Sequence, residues 1–325
     1  MGKILTYVGI ALAVAAVLAG IIFSSNRTSS AVNKPPEAAI LYNIDDYKKV
    51  DPALIGYTEV RQIKPAFREL YGMACDADDK IYVTGDDQLA IFDPAGDEIS
   101  RIDLGHEAKC VTLSPDQLIY LGLNHTVAVL DRNGKALRSW VAESESAVIT
   151  SVAAGERDVF VADAMNKVVL QYDPAGNLLR RIGEKDPESE RPGFIIPSFY
   201  FDLAIDPDGF LWVVNPGLHT FENYTFEGKL RASWRKTAFD LEGFGGCCNP
   251  THMAILPDGS FVTSEKGLVR VKIHDPTGQF RTVVAAPNQF AEGTVGLDLA
   301  VDSRGQILVL DPKTGMIRIF AKRSS

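Results

Sequence analysis

One short sequence phrase occurs six times along this chain and constrains its fold more than any other feature. The clearest copy, residues 203–213, reads LAIDPDGFLWV: an apolar strand, a tight turn and a second apolar strand. Successive copies start 38, 40, 52, 50 and 46 residues apart, at Met73, Val111, Ser151, Leu203, Met253 and Leu299. A strand–turn–strand unit that recurs about every 40–50 residues is typical of a β-propeller, in which each repeat forms one blade. The repeats therefore predict an all-β, six-bladed β-propeller over residues 54–323.

Each repeat continues with two further strands joined by a turn signal such as DPAGN at 173–177. The sixth repeat supplies only three strands, the last of them near 317–320. An alternating segment ahead of the first blade, residues 57–63, is predicted to be the missing fourth strand. Its pairing with the last blade would close the ring and remove two exposed sheet edges. The repeats resemble those of NHL-repeat six-bladed propellers over about residues 54–323.

Composition restricts the possible partners. The chain has 325 residues, of which 46% are hydrophobic, and a formal net charge of −9. This is ample for a large core. An acidic chain without a Lys/Arg cluster or a basic–aromatic stripe argues against binding to nucleic acid. We therefore expect no nucleic-acid partner.

The N-terminal segment predicts a membrane anchor. Residues 4–23 carry no charge, and twenty apolar residues at about 1.5 Å each span a hydrocarbon core of about 30 Å. We predict a short cytoplasmic end at 1–3, a transmembrane anchor at 4–23 and a polar linker at 24–53. The rival interpretation is a cleaved signal peptide, whose apolar region would be shorter. We expect the propeller to be extracytoplasmic, either periplasmic or extracellular.

The residue just before each phrase opens an inner strand at one face of the propeller, which we call the mouth. Each second strand turns into the third strand at the same face. A structural repeat alone favours small residues at these openings, but this chain has Gly72, Cys110, Thr150, Asp202, His252 and Asp298. Thiol, carboxylate and imidazole groups coordinate divalent ions. We therefore take Cys110, Asp202, His252 and Asp298 as candidate ligands of one divalent metal ion, and Thr150 as a ligand-binding candidate. The alternative is that these side chains are solvated or bonded to neighbouring backbone.

Vicinal cysteines follow two glycines in the connection from blade four into blade five. Alternation along a strand does not explain Cys247 and Cys248, because neighbouring side chains point to opposite faces. Three interpretations stay open: an oxidised vicinal pair, a metal or redox site that uses the thiolates with His252, and unpaired packing cysteines. The spacing C-C-x3-H is not a standard zinc signature.

Two further turns at the mouth carry candidate ligand-binding residues. The second-to-third strand turn of blade five contains Glu265 and Lys266 where other blades have an ordinary turn residue. We expect both to stand beside the cysteine pair, either at a solvent-facing hairpin tip or as a charged wall of the site. His219 occupies the corresponding turn of blade four and is therefore expected at the same face.

The longest insertion between blades is residues 184–199, with a charged start and an apolar end. This pattern predicts a flap over the mouth, or a partner contact through Phe194, Ile195 and Ile196.

Three function classes follow. The first is a membrane-anchored binding or scaffold module that holds a protein partner or ligand at the mouth, in a membrane or envelope complex. The second is implied by the resemblance. NHL propellers resemble the lyase that cleaves peptidyl-α-hydroxyglycine and gluconolactonase-type propellers with a central divalent cation, so Asp202, His252 and Asp298 would be metal ligands here. The third is a metal- or redox-handling protein centred on Cys247, Cys248 and His252.

Overall fold

The computed structural model describes residues 44–185 and 192–323, so the predicted anchor at 4–23 lies outside the described residues. Within these two ranges, no helix is both long and apolar enough to cross a membrane. Of the predicted linker, the described part is residues 44–53. It contains the one-turn helix α1 (Ile44–Tyr47) and the start of a 3₁₀ turn at Pro52–Leu54.

The strands of the described residues form six four-stranded antiparallel sheets, which confirms the all-β, six-bladed propeller. Blade one consists of β2 (Leu70–Cys75), β3 (Ile81–Gly85), β4 (Gln88–Phe92) and β5 (Glu98–Asp103). Blade two consists of β6 (Cys110–Leu113), β7 (Ile119–Leu123), β8 (Thr126–Leu130) and β9 (Ala136–Val141). Blade three consists of β10 (Ile149–Ala154), β11 (Val159–Asp163), β12 (Val168–Tyr172) and β13 (Leu178–Ile182). Blade four consists of β14 (Leu203–Ile205), β15 (Leu211–Asn215), β16 (Thr220–Tyr224) and β17 (Leu230–Arg235). Blade five consists of β18 (His252–Ile255), β19 (Phe261–Glu265), β20 (Arg270–His274) and β21 (Phe280–Ala285). Blade six consists of β22 (Asp298–Val301), β23 (Ile307–Asp311), β24 (Met316–Lys322) and β1 (Tyr57–Ile63).

The predicted closure strand is confirmed. β1 pairs antiparallel with β24, with one register shift between Glu59 and Arg61. The guanidinium of Arg318 on β24 binds the Glu59 carboxylate through two bonds of 3.0 and 2.6 Å. Just before β1, Ile55 forms a parallel bridge with Val283 of blade five. The N-terminal end of the propeller therefore joins blade five to blade six as well as completing blade six.

The chemistry of the repeated phrase explains its first turn. In the clearest copy, Asp206 Oδ1 accepts a hydrogen bond from Phe210 N at 2.8 Å, and Asp206 Oδ2 accepts one from Trp212 Nε1 at 2.9 Å. Gly209 closes the turn at φ +85°, a conformation that favours glycine. Asp76 and Asp302 accept backbone N–H bonds at the same turn of their own copies.

Neighbouring blades pack through a large side chain on a glycine. Trp140 of β9 covers Gly176 of blade three, where an added Cβ would lie 2.7 Å from the indole. Trp234 covers Gly278 of blade five in the same way. Both glycines have positive φ, so the turn and the interface each require the absence of a side chain. Isoleucines fill the equivalent place at three other interfaces, in the pairs Ile63–Gly96, Ile102–Gly134 and Ile182–Gly228.

Candidate functional site

The inner strands surround a central channel with a cavity of about 340 Å³. Five of the six mouth positions line this cavity: Cys110, Thr150, Asp202, His252 and Asp298. The structure therefore brings these candidates to one channel, as the alignment of the repeats predicts. That they bind a metal ion or another ligand stays a prediction.

The two mouth carboxylates connect adjacent blades. Asp298 Oδ2 accepts a hydrogen bond from Met73 N of blade one at 2.7 Å, and its Oδ1 accepts from the N–H of Leu299 at 2.8 Å. Asp202 makes the same pair of contacts, with Met253 N of blade five at 2.7 Å and with its own successor at 2.9 Å. These bonds agree with the alternative interpretation, in which the mouth side chains form hydrogen bonds with neighbouring backbone.

Thr150 connects blades in a related manner. Its Oγ1 donates a hydrogen bond of 2.6 Å to the carbonyl of Phe201, at the entrance to blade four. The hydroxyl thereby holds the segment that carries the mouth aromatic residues. As a sequence-derived ligand-binding candidate, Thr150 lies beside the cavity with its donor already used.

The pKa of Asp298 is raised above its ordinary value. Burial raises the pKa of its carboxyl to about 6. The neighbouring His252 imidazole opposes this increase, and the Asp202 carboxylate adds to it. A carboxyl group that titrates near neutrality can hold or release a proton under physiological conditions.

A second cavity of about 240 Å³ opens beside the channel, and Thr150 and His252 line both spaces. Its walls also contain Phe199 and Phe201, which precede blade four. Phe199 is 56% exposed, the highest value for a large apolar side chain among the described residues. The mouth therefore presents an aromatic surface next to a polar channel.

Tyr200 connects the polar groups of this region. Its ring lies edge-on to the His252 imidazole with centroids 5.8 Å apart, and Lys266 Nζ is 4.9 Å from its centroid. Lys266 Nζ also donates a hydrogen bond of 3.1 Å to Ser198 Oγ. Burial raises the pKa of the Tyr200 hydroxyl, and the nearby Cys248 adds to the increase. Among the described residues, the buried Nδ1 of His252 has no hydrogen-bond partner.

The glycine–cysteine connection is held by Asn249. Its Nδ2 donates to the carbonyls of Gly245 at 2.7 Å and Lys266 at 3.0 Å, while its Oδ1 accepts from Lys266 N at 2.9 Å. One amide side chain therefore joins this connection to the blade-five hairpin. The expected proximity of Lys266 to the cysteine segment is present.

His219 is buried against the same connection. Its Nε2 lies 2.6 Å from the Gly246 carbonyl, and its Nδ1 lies 3.1 Å from Thr237 Oγ1. Both ring nitrogens therefore have protein partners. The structure places this ligand-binding candidate at the mouth as a support for the cysteine connection.

All four thiols are free in the structure. Cys247 is exposed, whereas Cys248 is 1% exposed and adopts φ +68°. Cys110 is buried in the core cluster between blades two and three, and this burial raises the pKa of its thiol. The described residues contain no group of three or more His, Cys, Asp or Glu side chains arranged to hold a metal ion.

Glu265 differs from both sequence expectations. It is 2% exposed and is therefore neither a hairpin tip in solvent nor an accessible wall. Its Oε1 accepts from Arg270 Nε at 2.6 Å and lies 3.0 Å from Lys272 Nζ. Both cationic side chains are fully buried, and burial lowers the pKa of Lys272 to about 8.

The buried cations hold the insertion that leads to the cysteines. Arg270 Nη2 donates to the Asp240 carbonyl at 2.7 Å, and Lys272 Nζ donates to the Gly243 carbonyl. His274 lies 3.3 Å from the Glu242 carbonyl, and burial lowers the pKa of its imidazole to about 3. Carbonyl groups that would otherwise lack partners in the interior are thus satisfied.

In the insertion before blade four, two of the three residues predicted as a partner contact are unavailable. Phe194 and Ile196 are buried in the core cluster between blades three and four, whereas Ile195 is half-buried. The alternative of a flap stays a prediction. A Cβ at Gly183 would overlap the Phe194 ring, which shows how closely the insertion packs. Its exposed aromatic residue is Phe199, which the sequence analysis did not single out. The unusual Phe-Tyr-Phe triplet before an inner strand was the available signal.

No protein-family model matches the sequence, and no curated protein matches it. Solved structures do match its fold. A streptogramin B lyase has a TM-score of 0.60 at 11% identity, over 84% of this chain and 100% of the lyase. A catalytically inactive virginiamycin B lyase from Staphylococcus aureus with quinupristin has a TM-score of 0.56 at 11% identity, over 82% and 100% of the two chains. A protein of unknown function from Bacteroides thetaiotaomicron has a TM-score of 0.57 at 16% identity, over 82% and 72%.

At these identities the similarity shows the fold alone. The chain is a six-bladed β-propeller, and the structures it matches include lyases. Membership of the NHL-repeat family stays a prediction, since no family model matches.

Proposed function

We propose that this protein is a binding module whose working surface is the mouth around Phe199, Tyr200, His252 and Lys266. One observation carries the proposal: an exposed aromatic side chain, a partnerless imidazole nitrogen and a lysine held by a single hydroxyl meet around one tyrosine. Pockets that combine apolar walls with a few convergent polar groups are the usual binding sites of proteins.

The test is a thermal-shift screen of small molecules on the full-length protein. Compounds that raise the melting temperature are then measured on Phe199→Ala and on Leu179→Ala. Leu179 is the matched control, because it is also an exposed apolar residue but lies on the outer strand β13. The proposal requires compounds that lose their effect in Phe199→Ala and keep it in Leu179→Ala. A screen without such compounds would contradict it.

We further propose that residues 4–23 anchor the protein in a membrane, with the propeller on the extracytoplasmic side and a protein partner from a membrane or envelope complex. The uncharged stretch of twenty residues supports the anchor. Fractionation with and without alkaline carbonate extraction tests it, since an anchored chain stays in the membrane pellet. A photo-crosslinking residue at position 199, compared with one at position 179 on the outer strand β13, tests for a partner at the mouth.

A metal-dependent enzyme of lyase or lactonase type is the second candidate. It is supported by the electrostatic coupling of Asp202, His252 and Asp298 at one channel and by the lyases among the similar structures. A metal- or redox-handling role of Cys247 and Cys248 with His252 is the related third candidate.

Metal analysis of the purified protein separates these candidates. A stoichiometric metal that is lost in Cys247→Ser/Cys248→Ser favours the thiol site. A metal that survives this double change but is lost in His252→Ala or Asp298→Ala favours the enzyme. Intact mass before and after thiol alkylation reports whether the vicinal pair is oxidised.

A further inference from the structure

The cavity at the mouth has walls of two different kinds. Phe199 forms an accessible aromatic side at 56% exposure, and the half-buried Val148 adds aliphatic surface. Phe201 and Ile149 also border this space but are almost completely buried. Aromatic side chains of this kind favour a flat apolar group, which can stack on or meet the edge of a ring.

The Lys266 ammonium stands beside the cavity, 4.9 Å from the ring centroid of the lining Tyr200, and has unused bonding capacity. The Lys266 ammonium has three N–H donors, and one of them binds Ser198 Oγ. Among the described residues, no carboxylate lies within ion-pair distance of Lys266. The lysine that lines the cavity, Lys109, is already engaged, because its ammonium is paired with Glu107 at 2.6 Å and lies 3.6 Å from the centroid of the Tyr71 ring.

The negative groups nearby are already engaged. All four carboxylate oxygens of Asp202 and Asp298 accept backbone N–H bonds, and both groups line the channel rather than the side cavity. A ligand cation would therefore meet Lys266 at the rim without a free carboxylate in the cavity. A ligand anion would meet an ammonium with free donors.

We propose that the mouth binds a small organic carboxylate with a flat apolar body, which lies against Phe199 while its carboxylate reaches Lys266. The inference rests on the proposed binding function of the mouth and adds the chemical class of the ligand. His252, which lines the cavity beside Tyr200, has a buried Nδ1 without a hydrogen-bond partner. Lys266 sets the charge preference, and Phe199 provides the apolar contact.

The test is calorimetric titration of the full-length protein with two probes of the same shape, 2-naphthoate and the neutral 2-naphthamide. We expect the carboxylate to bind at least tenfold more tightly than the amide. In Lys266→Met this preference should disappear, and in Lys266→Arg, which keeps the charge, it should be retained. Phe199→Ala should weaken both probes by a similar factor. Lys229→Met removes an exposed lysine at a turn on the opposite face and should change neither affinity.

The outcomes separate the ligand class from the binding function. Equal affinities for the two probes, both weakened by Phe199→Ala, would overturn the carboxylate preference and leave the mouth as a binding site. Absence of binding, or binding that is indifferent to Phe199→Ala, would overturn both proposals. Unfolding curves of each variant show whether a change in affinity comes from a loss of stability. If Lys266→Met is destabilised, the Lys266→Arg variant still tests the role of the charge, because it should keep the preference for the carboxylate.

Discussion

At the scale of single residues, both mouth carboxyl groups have structural partners, and the pKa of one of them is raised. Asp298 bonds blade six to blade one, and burial raises its pKa from an ordinary value of 3.8 to about 6. The native state therefore binds this proton more tightly than the unfolded chain does. The contribution to stability is complete below about pH 4 and is lost as the pH rises through 6.

The Asp298→Asn variant tests this sign. The free energy of unfolding of the original protein minus that of the variant should fall from pH 4 to pH 7. Only the original protein has a carboxyl group at position 298 whose proton is lost from the native state in this range. Urea unfolding at both pH values measures the difference. Asp208→Asn, at an exposed turn position, is the control and should show a constant difference. A constant difference for Asp298→Asn would contradict the raised pKa.

Asn249 is the second residue with a clear structural role, since its side chain makes three hydrogen bonds. Asn249→Ala should lower the free energy of unfolding by about 2–4 kcal/mol, because it leaves part-buried backbone groups of Gly245 and Lys266 without partners. Hydrogen exchange of residues 244–251 should also accelerate. Exchange that changes equally in all six blades would instead indicate a general loss of stability.

At the scale of elements, β20 of blade five differs from its counterparts. It places Arg270, Lys272 and His274 in the interior, where β12 of blade three has Val168, Leu170 and Tyr172. Buried charges are stable only when they are paired and hydrogen-bonded. Here a single carboxylate, Glu265, and the carbonyls of residues 240–243 provide the partners.

Removing the charge of Glu265 should be costly. Glu265→Gln leaves Arg270 and Lys272 without their anion and should lower the free energy of unfolding by about 3–5 kcal/mol. Adding Lys272→Met should recover part of this loss, because it removes one unpaired cation. Denaturant unfolding of both variants measures the effect, with exposed Glu156→Gln as the control. Equal stability of Glu265→Gln and the control would refute the ion cluster as a stabilising unit.

At the scale of the whole molecule, closure depends on one strand from the other end of the chain. β1 contributes the buried Tyr57 and Ile63 and half of the Glu59–Arg318 ion pair. Without it, β24 would present an unpaired edge, which promotes association with other chains.

Two shortened chains test closure. A chain that starts at Ile44 should fold as a monomer with one cooperative transition, whereas a chain that starts at Lys64 should lose that transition and associate. Size-exclusion chromatography and near-ultraviolet circular dichroism distinguish the two. Monomeric, cooperative folding of the shorter chain would show that the ring does not need β1.

The features that could be predicted from the sequence alone are those that depend on local patterns. The repeat period, the turn residues and the alternation of 57–63 depend on near neighbours, so they predicted six blades and the closure strand. The convergence of Asp202, His252 and Asp298 followed from aligning the copies, because equivalent positions of a closed ring lie around one axis.

The remaining features were decided by contacts between distant segments. Glu265 resembles an exposed turn residue until the carbonyls and cations of its surroundings are known. Phe194 is buried in the core whereas Phe199 is exposed, because the gap between blades three and four determines which side chains of the insertion can pack inside. The sequence by itself determined the ring and which residues open onto its mouth. Only the tertiary structure decided which of them are already bonded and which, such as Lys266 and His252, have hydrogen-bonding capacity that no protein group uses.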